Sequence, residues 1–91
     1  MDDKTREFRL EFKKKLIAWL QLEDKTPEDI KDEEPLFGKG LGLDSLDAVE
    51  IVIALKREYN IPQTEVDQKR EIFATFETLS DFVQNYVPQK N

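Results

Sequence analysis

The chain has 91 residues, a formal net charge of −6 and 38% apolar residues, with nine aromatics and neither cysteine nor histidine. That length allows one domain (1–91) with a modest core and no deep catalytic cavity, and that composition is too apolar for a disordered chain. Without Cys or His there are no disulfides, thiolate nucleophiles, Ser-His-Asp triads or common zinc sites; an enzyme would have to work with carboxylates or lysines alone, which argues against catalysis.

The N-terminal MDDKTREFRL is charged throughout, so no signal peptide is visible, and no apolar run nears the roughly 20 residues of a membrane span. With cysteine absent, a cytoplasmic location is expected. From about Thr5 to Leu22 the spacing predicts a helix: Phe8, Phe12, Leu16 and Leu20 recur every four residues, and Leu10, Ile17 and Trp19 broaden the stripe. Lys13, Lys14 and Lys15 read as its solvated face. In KTPEDI, Thr26 is the expected N-cap, Pro27 the first helical residue, and Glu28 and Asp29 the acids of a first turn, with Ile30 pinning that turn to the core.

Residues 31–44, KDEEPLFGKGLGLD, hold all three glycines and read as a long loop packed down by Leu36, Phe37, Leu41 and Leu43. Gly38-x-Gly40-x-Gly42 matches neither a dinucleotide fingerprint nor a P-loop, and the acids of KDEE lack the pattern of a calcium loop. A second helix is predicted from Ser45 to Tyr59, stopped by Asn60 and Pro62. A short helix is expected within 64–72, carrying Val66 and Ile72. Thr75 then caps a last helix with Phe76, Leu79, Phe82, Val83, Tyr86 and Val87 at helical spacing, ending before Pro88. The expected fold is all-α: a small antiparallel bundle of three main helices plus one or two short ones.

The charge is uneven. Residues 1–25 carry seven basic and six acidic side chains, residues 26–60 four and nine, and residues 61–91 three and five. The acidity thus centres on GLGLDSLDAVEI, residues 40–51, a field that repels nucleic acid and anionic lipid and attracts basic protein surfaces. At about 100° per residue, Ile51, Leu55 and Tyr59 form one line of the second helix, flanked by Ala48 and Val52. Leu46, Val49 and Ile53 fall to the side, among Asp47 and Glu50. That strip is either further core or a docking surface rimmed by charge. Either Asp44 or Ser45 can serve as the N-cap.

The stretch LGLDSLDAVEIVIAL resembles the prosthetic-group attachment site of acyl carrier proteins, with Asp-Ser-Leu opening a helix, and the resemblance extends over nearly the whole chain. It implies that Ser45 carries 4'-phosphopantetheine through a phosphodiester, added from coenzyme A by a phosphopantetheinyl transferase, and that the arm's thiol holds an acyl group as a thioester. It also implies that Asp44, Leu46, Asp47, Val49, Glu50 and Ile53 meet acyl-loading and synthase enzymes through their basic docking patches, with the carrier itself a non-catalytic monomer in fatty acid or specialised polyketide or lipid biosynthesis. A carrier of an amino acid or peptide intermediate shares the same motif, and an unmodified helical interaction module, with Ser45 only a cap, stays open. Lys56, Arg57 and a longer 62–75 segment containing Lys69-Arg70 set the chain apart from housekeeping fatty-acid carriers.

Overall fold

The computed structural model describes residues 3–38 and 40–86, and every regular element among them is helical. Helix α1 spans Asp3–Leu20, α2 Ser45–Tyr59, α3 Gln63–Asp67 and α4 Phe76–Tyr86, with 3-10 turns at Pro27–Asp29 and Arg70–Phe73. The expected contribution of Val87 and the stop at Pro88 lie outside the described residues. The rest of the predicted order holds, with three adjustments that have physical causes.

The first adjustment is where α1 stops. It closes two residues earlier than expected because Gln21 takes a left-handed conformation (φ 54°). The Gln21 N–H donates to the Ala18 carbonyl at 3.4 Å and the Leu22 N–H to that of Ile17 at 3.0 Å, the paired bonds of a Schellman ending. The second is that the short helix expected in 64–72 is split in two. Lys69, at φ −131° and ψ 55°, breaks the helical path between α3 and the turn that follows.

The third adjustment concerns charge on α1. Lys13 is not simply solvated: its Nζ lies 3.0 Å from Asp32 and 5.2 Å from the centre of the Phe76 ring. Lys15 sits over Tyr59, and only Lys14 keeps the expected open setting. Leu10, expected in the apolar stripe, is instead 43% exposed. Arg9 takes its place toward the interior. Its guanidinium meets Asp32 at 2.8 Å, Asp81 at 2.9 Å and Glu77 at 3.5 Å, tying α1 to the loop and to α4.

The core gathers Phe12 and Leu16 of α1, Ile30, Leu36 and Leu43 of the connecting segment, Ile51 and Leu55 of α2, and Phe76, Leu79 and Val83 of α4. Each such side chain contributes about 1.5–3 kcal/mol by leaving water. Phe12 is the centre of an aromatic group, with Phe76 at 5.7 Å and Phe8 and Trp19 each at 5.9 Å; Trp19 also meets Tyr59 edge-on at 6.4 Å.

The long loop is fixed by the start of α4. The Phe76 and Glu77 N–H groups donate to the Glu34 and Asp32 carbonyls at 2.9 and 2.7 Å, while Thr78 N–H donates to Thr75 Oγ1 at 3.2 Å. Donors that a helix start leaves open are thereby satisfied by the loop and by the predicted Thr75 cap. Inside the loop, a Cβ on Gly40 would fall 1.8 Å from the Pro35 carbonyl oxygen, so only glycine lets these strands of chain pass. The loop therefore delivers Asp44 to the start of α2 along a defined path.

Candidate functional site

The start of α2 settles which residue caps it. Asp44 has extended backbone (φ −119°, ψ −174°), and its Oδ1 accepts from the Asp47 N–H at 3.0 Å. Asp47 Oδ2 accepts in return from the Asp44 N–H at 3.1 Å, completing a capping box. Ser45 is thus the first helical residue, and it is exposed. Its hydroxyl is not used to cap the helix. Two carboxylates beside the positive end of the helix stabilise α2, but they also oppose a second anion lying along its axis.

Beyond that first turn, the α2 pattern divides by side. Ile51, Ala54 and Leu55 are buried against the core, whereas Leu46, Val49 and Ile53 are 73%, 54% and 52% exposed. The apolar strip of residues 46, 49 and 53 is therefore surface and not further core. Exposed Glu50 and half-buried Asp47 lie beside it, and the exposed cations Lys56 and Arg57 follow toward the other end of the helix. An apolar strip with a charged rim has the composition of a protein contact surface.

Ser45 also stands on the edge of a groove of about 560 Å³. Ala48, Val49, Val52 and Ile53 form its α2 side, Phe37 of the loop meets Phe73 at 6.2 Å to form another part, and Val66 is buried at α3. Gln63, Asp67 and Arg70 supply its polar lining. Of the residues singled out from the sequence, Ser45, Val49 and Ile53 join this groove, while Asp44, Leu46, Asp47 and Glu50 lie outside its lining. The contribution of Phe37, Phe73 and the polar trio went unrecognised. Its available signal was the spacing 63, 67, 70 around an apolar Val66, which puts all three polar residues near one face.

Among the described residues there is no cluster of acids able to hold a metal ion, and no helix is long and apolar enough to cross a membrane. No solved structure matches the chain. The family model described as phosphopantetheine attachment site matches residues 16–85, which run from the C-terminal part of α1 to the last turn of α4 and include the whole of α2. The chain therefore belongs to the phosphopantetheine attachment site family, whose domains carry 4'-phosphopantetheine covalently.

Proposed function

We propose that residues 1–91 act as one acyl carrier domain and that Ser45 is the residue to which 4'-phosphopantetheine is joined. The observation that carries this reading is the exposed Ser45 hydroxyl, left free of capping by the Asp44–Asp47 box and standing at the edge of a groove whose α2 side is apolar. The residues present fit the group. An exposed hydroxyl suits a phosphodiester that projects from the surface, and the groove supplies an apolar wall for a chain bound nearby. When attached, the group supplies a thiol to a protein that has no cysteine.

The chain's own part is to present that hydroxyl and to be recognised. Leu46, Val49 and Ile53 offer apolar contact, and Asp44, Asp47 and Glu50 provide a negative field around it. This supports docking to a phosphopantetheinyl transferase and to acyl-loading and synthase enzymes that carry basic patches. Tethering raises the local concentration of the carried group at each docked enzyme, so no catalytic residue of the carrier is needed. The role fits fatty acid or specialised polyketide or lipid biosynthesis.

The test is intact mass after incubation with coenzyme A, magnesium and a broad-specificity transferase. Wild type gains one phosphopantetheine increment, and Ser45→Ala gains none. An unmodified wild type, or a modified Ser45→Ala, refutes the assignment. Mass spectrometry of the native carrier then distinguishes an acyl from an aminoacyl or peptidyl cargo.

A further inference from the structure

The groove beside Ser45 has two unlike sides. Its α2 side is apolar, whereas Gln63, Asp67 and Arg70 line the side built from α3 and the following 3-10 turn. All three are exposed, and they stay on the groove although the helix breaks at Lys69 between them. Among the described residues neither Asp67 nor Arg70 has an ion-pair partner, even though they are three residues apart. Among the described residues, Arg70 is the one cation in the lining.

The order of the three along the groove follows from the topology. Phe73, at the end of the Arg70 turn, packs on Phe37, and Phe37 is bridged to Leu43, two residues before Ser45. Arg70 therefore belongs to the Ser45 end. Gln63 comes just after α2 has ended, so it belongs to the opposite end, and Asp67 lies between. From the Ser45 end, the wall offers a guanidinium that only donates, a carboxylate that only accepts, and an amide that does both.

A phosphopantetheine arm presents, from its point of attachment, a phosphodiester anion, then two secondary amides, then a thiol. Asp44 and Asp47 disfavour the anion at the start of α2, and Arg70 favours it across the groove. We infer that the Gln63–Asp67–Arg70 wall is a rest for the arm: Arg70 serves the phosphodiester, and Asp67 and Gln63 serve the amides. This rests on Ser45 as the attachment residue. Because the arm is tethered, each contact forms at high effective concentration, and bonds of ordinary exposed strength suffice to populate the rested arm.

The test loads wild type with ¹⁵N-labelled pantetheine from coenzyme A, confirms the mass increment, and follows hydrogen exchange of the two arm amides by NMR. Exchange about fivefold slower than in free coenzyme A is expected, the equilibrium shift given by one ordinary net hydrogen bond. Apo-to-holo shifts are expected at the Gln63 side-chain amide and at Arg70 Nε–H. Arg70→Ala and Asp67→Ala each lower the protection, and with Gln63→Ala in a triple variant they abolish it, while circular dichroism stays that of wild type. A loaded wild type whose arm amides exchange at the free rate overturns the rest alone, as does protection that survives the triple variant. A wild type that gains no mass overturns the attachment reading with it.

Discussion

Replacing Arg9 by alanine removes the cation that joins three parts of the fold. Its side chain is only 8% exposed, while Asp32, Asp81 and Glu77 are 26%, 47% and 48% exposed. A shielded charge-assisted hydrogen bond contributes about 1.5–3 kcal/mol, but carboxylates this open to solvent reduce each contact to about 0.5–1 kcal/mol. The short bonds to Asp32 and Asp81 together then contribute about 1–2 kcal/mol, and the 3.5 Å contact to Glu77 adds little. Loss of the buried aliphatic stem adds roughly 1 kcal/mol more. The expected destabilisation is about 2–3 kcal/mol, a fall in Tm of roughly 10–20 °C for a domain of this size. Arg9→Met keeps the stem and should lose about half as much.

The loss should also depend on pH. Burial alone would raise the Asp32 carboxyl, but hydrogen bonds from Lys13 and Arg9, with their charges, more than offset it and hold it below the usual carboxylate range. A carboxyl lowered in the folded state contributes stability that is present above its unfolded value and lost as pH falls through the folded one. The gap between wild type and Arg9→Ala should therefore be widest near neutrality and narrow below about pH 4, where an ordinary aspartate takes up its proton. Urea unfolding at pH 7 and pH 3 measures both gaps. A loss under about 0.5 kcal/mol at pH 7, or a gap that does not change with pH, would refute the reasoning.

Other expectations concern single side chains. Asp44→Ala should destabilise the domain by about 1 kcal/mol in denaturant melts through loss of the cap, whereas Ser45→Ala should stay within about 0.5 kcal/mol of wild type. Ser80 is fully buried and its Oγ meets no hydrogen-bond partner among the described residues, so Ser80→Ala should be neutral or raise the Tm; a clear fall would reveal a partner. Asp47→Lys and Glu50→Lys should each slow loading by the transferase at low salt with little change in circular dichroism, an effect that shrinks as salt is added. Wild-type rates for both variants at low salt would remove this part of α2 from the docking surface.

Helix α2 was legible in the sequence because local signals and burial agree there. Acids at the start, Asn60 and Pro62 at the end, and the Ile51–Leu55 line all point the same way, and Asn60 does adopt the left-handed conformation (φ 58°) that ends a helix. The Thr26 turn is similar: it starts at Pro27 after Thr26, as expected, and Asp29 of its first turn accepts from the Thr26 N–H at 2.9 Å. Arg9 shows where such reading stops. It lies on the same helical face as Phe12 and Leu16, but a cation in a charged helix reads as solvated unless its distant partners are known. Asp32 and Asp81 are 23 and 72 residues away, and only the folded chain brings them together. The groove has the same character, since Phe37 and Phe73 come from separate turns whose meeting no local pattern encodes.

The position of Trp19 has a practical consequence. It is the chain's single tryptophan, and it packs on Phe12 within α1 and on Tyr59 at the end of α2 remote from Ser45. Its fluorescence therefore reports the seating of α2 against α1 with no label attached. If occupancy of the groove shifts α2 on its neighbour, the emission of Trp19 registers that shift from the opposite end of the helix, in real time and in the unmodified sequence.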